Sequence, residues 1–158
     1  ELTDKYLAKY ITTVDGNFQR QLASALSYTK DETTLTHLLE EWKNKDVVKP
    51  QDLAMSWYFT FLQHDFTQGT VWTWARDNWD WIKAALGGDM SFDKFVIYPA
   101  STFKTRERLV EYKAFFEPQL SDLAISRNIS MGIKEISARI NLIDKEKAVV
   151  EAAIKAAV

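Results

Sequence analysis

The chain has two histidines, His37 and His64, which are the first side chains to consider for metal binding or acid–base chemistry. His37 begins the run His-Leu-Leu-Glu-Glu, which has no second histidine four residues on. A zinc-protease helix uses His-Glu-x-x-His because two histidines one turn apart can bind the same metal ion. That motif does not occur in this sequence. We therefore interpret both histidines as surface or capping residues.

Other catalytic signatures are also missing from the sequence. It contains neither a Gly-rich phosphate loop nor a Ser/His/Asp nucleophile motif, and carboxylate pairs such as Glu40–Glu41 are typical of helix surfaces. The absence of cysteine excludes disulfides and thiolate metal sites. The sequence therefore predicts no catalytic, cofactor-binding or metal-binding residue.

One surface is a candidate for binding a ligand. Arg127, Met131, Lys134 and Ala138 fall within about 60° of one another on a helix and lie away from a stripe of isoleucines. If this surface, which we call the cationic face, lines a concavity, Arg127 and Lys134 could hold a peptide carboxylate. The alternative is an ordinary solvated helix face.

The composition of the chain indicates that helices would position such residues, and its charge limits the partners they could bind. The chain of 158 residues has five glycines and three prolines, and helical periodicity runs through almost all of it. A net charge of −2 argues against a nucleic-acid or anionic-membrane partner. No apolar run is long enough to span a bilayer. Because residue 1 is glutamate and not methionine, we expect a piece of a longer protein.

Residues 71–82 carry four of the six tryptophans and predict a helix with two apolar stripes. Trp72 and Trp79 belong to one stripe and Trp74 and Trp81 to the other, so the helix should pack on two sides. An aromatic platform for nucleic-acid bases is the alternative, but aspartates stand where a basic rim would be needed.

Helix pairs begin near residues 16, 50 and 91, a spacing typical of two-helix solenoid repeats. We therefore predict an all-α chain, residues 1–158, folded as one irregular HEAT-like or armadillo-like superhelix of paired antiparallel helices. Pro99 should end a short helix, and Asp144 should begin a last helix after a long isoleucine-striped one.

Several short motifs follow one another along the chain: Val48-Lys49-Pro50-Gln51-Asp52-Leu53, Val71-Trp72-x-Trp74, Asn78-Trp79-Asp80, Phe103-Lys104-Thr105, Leu109-x-Glu111, Phe115-Phe116-Glu117, Ile133-Lys134-Glu135-Ile136 and Arg139-Ile140-Asn141-Leu142-Ile143. In their sequence and order these motifs resemble the C-terminal domain of zinc aminopeptidases of the aminopeptidase N type, and those of lactic-acid bacteria most of all. The resemblance covers nearly the whole chain.

The resemblance implies one part of a multidomain enzyme that removes N-terminal amino acids from peptides. The zinc ligands and the motif that holds the substrate's free amine belong to the family's catalytic domain, so none of those residues can be assigned here. The helical C-terminal domain would form a concave bowl that closes over the active site and controls peptide entry. The implied partners are the other domains of the same polypeptide and peptide substrates, with zinc bound in the catalytic domain and the enzyme in the cytoplasm.

A second hypothesis stays open beside the aminopeptidase. A free-standing HEAT-like scaffold that binds a protein partner would have the same composition and the same lack of catalytic motifs. Coding sequence upstream of Glu1 discriminates the two, because only the aminopeptidase would carry zinc-binding and amine-binding motifs there.

Overall fold

The computed structural model of the protein describes residues 2–157, and within them all regular structure is helical. The helices follow in this order: α1 (Leu2–Thr12), α2 (Gly16–Leu26), α3 (Glu32–Glu41), α4 (residues 50–62), α5 (Asp65–Asp77), α6 (Trp79–Leu86), α7 (Lys94–Thr102), α8 (Arg106–Phe116) and α9 (Ser126–Ala157). A 3₁₀ turn, Glu117–Gln119, follows α8. The predicted all-α class is confirmed. None of these helices combines the length and apolar content that crossing a bilayer requires.

The chain divides into two compact units, the first ending at Tyr98 and the second beginning at Pro99. In the first unit, α1 packs on α2, and α4 packs on α2 and α5. In the second unit, α8 packs on α9. Connections as short as Thr13–Asp15 between α1 and α2 make such neighbours antiparallel.

Local side-chain chemistry explains where several helices begin. The Asp31 carboxylate accepts a hydrogen bond from the Thr34 amide at 2.7 Å and so caps α3. The Thr105 hydroxyl accepts one from the Arg108 amide at 3.2 Å at the start of α8. Pro50 is the first residue of α4, where its missing N–H leaves no bond unmade.

Helix α4 is the most buried element of the first unit. Its middle segment, Leu53–Phe59, is a π-helix between two short α-helical segments, Pro50–Asp52 and Thr60–Leu62. The wider turn places five of those seven residues in the core, while Met55 remains 58% exposed. This geometry is rare and differs from the uninterrupted α-helix that periodicity predicts.

Three predicted helix boundaries are wrong. The tryptophan helix divides at Asn78, whose side-chain amide donates to the Trp74 carbonyl at 2.8 Å. Pro99 lies inside α7 and does not end it. Asp144 caps nothing, because α9 is continuous and the Asp144 carboxylate accepts a hydrogen bond from Arg106 at 2.5 Å.

Burial of the tryptophans follows the prediction for one stripe and only partly for the other. Trp72 and Trp79 are 1% and 8% exposed. Trp74 is also buried, but Trp81 is only half-buried. The helix pair α5–α6 is therefore packed mainly through its first stripe.

We predict that Trp72→Ala lowers the free energy of unfolding by about 3–5 kcal/mol, because truncating a buried indole leaves a cavity that the core fills only partly. Chemical denaturation measures this loss. Val14→Ala, at a fully exposed position, is the control and should change stability by less than about 0.5 kcal/mol. A Trp72→Ala variant that unfolds like the parent would contradict the packing described here.

We also predict that Gly132→Ala destabilises the second unit, although alanine favours helices by about 1 kcal/mol. A β-carbon at Gly132 would lie 2.4 Å from the Tyr112 hydroxyl and 2.9 Å from the Ala100 β-carbon, and both residues are buried. Overpacking of this kind typically costs about 1–3 kcal/mol. Gly88→Ala is the matched control, because its β-carbon would meet nothing within 4 Å. In thermal unfolding, the melting temperature of the Gly132→Ala variant should fall below that of the Gly88→Ala variant. Equal melting temperatures would refute the close contact.

Candidate functional site

The cationic face lies on the N-terminal half of α9. Arg127, Met131, Lys134 and Ala138 are all exposed, and Met131 is 55% exposed. The two cations are seven residues apart, which is two helical turns or about 10 Å along the axis. Within residues 2–157, neither Arg127 nor Lys134 forms an ion pair. Both charges are therefore available to an anionic ligand.

The opposite side of α9 is fixed in the core of the second unit. Ile129, Ile136 and Ile140 are 0–4% exposed, as the isoleucine stripe predicts. Gly132 lies against the Tyr112 phenol. Burial raises the pKa of Tyr112 far above its usual range, with the Glu135 charge adding to the effect, so this contact stays neutral. The direction in which the cationic face points is thus set by packing on the far side of its helix.

Arg139 gives α9 a second anchor that the sequence analysis missed. Its guanidinium donates to the carbonyl oxygens of Ala100 and Phe103, at 2.8 and 2.6 Å, and to the Glu135 carboxylate at 2.7 Å. Ala100 lies in the last turn of α7 and Phe103 directly follows that helix, and a cation at a helix C-terminus suits the helix dipole. Carbonyl groups at a helix C-terminus generally indicate a place where a cation can bind, but the sequence does not show which cation binds there.

A pair typical of nucleophilic catalysis occurs in the first unit, between Ser27 and His64. The Ser27 hydroxyl oxygen lies 3.0 Å from His64 Nε2 and 2.7 Å from the Ser24 carbonyl oxygen. Because the hydroxyl donates its proton to that carbonyl, His64 Nε2 must be the donor to Ser27. The histidine therefore cannot act as the base for this serine, and Ser27 is completely buried. This pair connects α2 to the turn before α5 and has no catalytic geometry.

Metal binding has no structural support in this part of the chain. Among residues 2–157, no three histidine, aspartate or glutamate side chains gather closely enough to hold a metal ion. These residues do not fit the zinc that the resemblance implies for the parent enzyme. We therefore route no step of a reaction through a metal held by this chain.

Known proteins similar to this chain can now be compared with it. The model of the ERAP1-like C-terminal domain matches residues 1–138. The chain belongs to this family. Members of the family are therefore the relevant comparison for the cationic face and for the helices that hold it.

The individual relatives are much longer than this chain. Aminopeptidase N of Lactococcus lactis subsp. lactis is 59% identical over 98% of this chain. Aminopeptidase N of Lactobacillus helveticus is 41% identical over the whole chain, and endoplasmic reticulum aminopeptidase 2 of Bos taurus is 31% identical over 70% of it. The chain spans 18% and 19% of the two bacterial relatives and 12% of the bovine one.

The position of His64 gives a prediction for the pH dependence of stability. Desolvation lowers the pKa of His64, so the unfolded chain takes up a proton at this residue at higher pH than the folded chain. The free energy of unfolding should therefore fall as the pH drops below about 6.5, the pKa of an unfolded histidine.

We predict that His64→Gln, which keeps a side-chain N–H donor for Ser27, reduces this acid-induced loss. Denaturant titrations at pH 7.5 and 5.5 measure it. His37→Gln, at an exposed histidine, is the control and should keep the pH dependence of the parent. An unchanged pH dependence in the His64→Gln variant would contradict the assignment.

Proposed function

We propose that this chain is the C-terminal domain of a zinc metalloaminopeptidase that removes N-terminal amino acids from peptides. The observation that carries the proposal is the match to the ERAP1-like C-terminal domain, together with full-chain similarity to bacterial aminopeptidases N about five times as long. The lack of a metal cluster within residues 2–157 is consistent with a domain that leaves catalysis to the rest of its polypeptide. The zinc of the parent would polarise the scissile carbonyl and activate water in another domain.

The domain's own role would be to cover the active-site cavity and control which peptides enter. We propose that the paired helices form a wall in which they follow one another as in a HEAT-like superhelix. On that wall the cationic face offers two unpaired charges about 10 Å apart. A peptide bound by its N-terminus at a distant metal would present its C-terminal carboxylate to such a face, where Arg127 and Lys134 can pair with it.

A free-standing HEAT-like scaffold is the second candidate function, since the described residues contain a helical stack with an exposed charged face. The aminopeptidase proposal is favoured because relatives that match nearly the whole chain are named as aminopeptidases. We propose a cytoplasmic location as well, which the absence of cysteine suits.

Kinetics of the full-length polypeptide test the role of the cationic face. We predict that Arg127→Ala and Lys134→Ala each raise KM about 2- to 10-fold for peptides with a free C-terminal carboxylate, the range expected for one partly exposed ion pair. Hydrolysis of an aminoacyl-nitroanilide, which has no such carboxylate, should be unchanged.

Two controls make this test specific. Lys155→Ala removes a lysine from the same helix about 30 Å further along it and should leave KM unchanged. The same peptides with amidated C-termini should be insensitive to both substitutions. An equal effect on free and amidated peptides would refute carboxylate binding, and a full-length polypeptide without aminopeptidase activity would refute the proposed function itself.

A further inference from the structure

The C-terminal half of α9, residues 141–157, extends beyond the core of the second unit. Ile136 and Ile140 are buried, whereas no residue from 141 to 157 is. Asp144 bonds to Arg106, and after it no residue up to 157 forms a polar contact with another helix. A helical segment of about 25 Å therefore extends beyond the core of its unit, with the Asp144–Arg106 bond as its polar contact to α8.

This free segment has a strongly apolar side. Its large exposed apolar residues, here named the tail stripe, are Leu142, Ile143, Val149, Val150 and Ile154, which are 40–64% exposed. At 100° per residue they lie within an arc of about 140°, together with two alanines and interrupted only by Glu146. An apolar arc of that width is what a surface helix normally turns toward a core. Single exposed apolar residues need no explanation, but five on one side of one helix do.

The charges around the tail stripe indicate the kind of surface that would cover it. The acidic and basic residues of the segment are equal in number: Asp144, Glu146 and Glu151 against Lys145, Lys147 and Lys155. Lys147 pairs with Glu151 at 3.9 Å and Lys145 with Glu146 at 3.4 Å. A neutral rim does not suit nucleic acid or anionic lipid, whereas an apolar centre within a mixed polar rim is typical of protein interfaces.

The size of the tail stripe argues against a second copy of this chain as its partner. A stripe one helix wide and about 20 Å long offers on the order of 250 Å². A stable interface between separate proteins buries about 800 Å² on each partner. A covalently connected surface can be bound through a smaller area, because its effective concentration reaches the millimolar range.

The relatives supply such a connected surface. The family model ends at residue 138, but the similarity to Lactobacillus helveticus aminopeptidase N runs through the tail stripe, and about four-fifths of that protein lies outside the match. We propose that the tail stripe docks onto the rest of the same aminopeptidase polypeptide. This inference rests on the proposed function, namely that the chain is one domain of a longer enzyme.

Amide hydrogen exchange in the full-length polypeptide tests this docking. We expect the amides of residues 145–157 to exchange about 100-fold more slowly in the parent than in a Val150→Glu variant, because a charge in the tail stripe would release the segment. Ala148→Glu is the matched control: it adds the same charge on the opposite side of the helix and should retain the protection. Amides of residues 129–140 show in each variant that the core is still folded.

Other outcomes would overturn the docking. Rapid exchange of residues 145–157 in the parent would mean that nothing covers the tail stripe. Protection that increases with protein concentration would mean that a second copy covers it. Neither result affects the proposed function, which is read separately from hydrolysis of an aminoacyl-nitroanilide by the same preparation.

Discussion

The packing of the first unit depends on the complete burial of one indole, that of Trp57. Its ring is 0% exposed, and its Nε1 donates to the Tyr10 hydroxyl at 3.0 Å. This bond joins α1, which carries Tyr10, to α4, and it satisfies an N–H group whose burial without an acceptor would cost about 1–3 kcal/mol. The rings of Tyr10, Trp42 and Phe61 pack around Trp57 with centroid distances of 5.0–6.2 Å. The hydrogen bond to Tyr10 and the ring contacts with Tyr10 and Trp42 thus join elements that are distant in sequence, while Phe61 packs on Trp57 within α4.

The distance along the chain between interacting residues decides which helix boundaries the sequence could predict. Boundaries set by local chemistry were predictable, because the caps Asp31 and Thr105 bond to amides three residues away. Boundaries set by partners far along the chain were not. Asp144 has the side chain of a cap, but Arg106 binds it from 38 residues away. Periodicity likewise predicts an α-helix through Trp57, whereas burial of five of seven successive residues is achieved with a π-helix.

The candidate site shows the same difference between features set by local geometry and features set by residues far along the chain. Arg127 and Lys134 share an exposed side of α9 because helical geometry alone relates positions seven residues apart. Their role in binding a carboxylate stays a prediction, because helical geometry places the two charges without identifying what binds them. The Ser27–His64 pair could not be found from sequence, because its members are 37 residues apart and match no motif. Finding it also required the Ser24 carbonyl, which decides that His64 is the donor and removes any resemblance to a catalytic pair.

Helix α9 is one rigid element with three different surfaces. The isoleucine stripe holds it in the second unit, the cationic face points away from that stripe, and the tail stripe lies beyond the core at the other end. At 32 residues the helix is about 48 Å long. Because the isoleucine stripe already fixes the rotation of α9 within the second unit, docking of the tail stripe would fix that unit, and with it the cationic face, relative to the surface on which the stripe docks. A surface contact at one end would therefore position two charges about 30 Å away, which a flexible loop could not do.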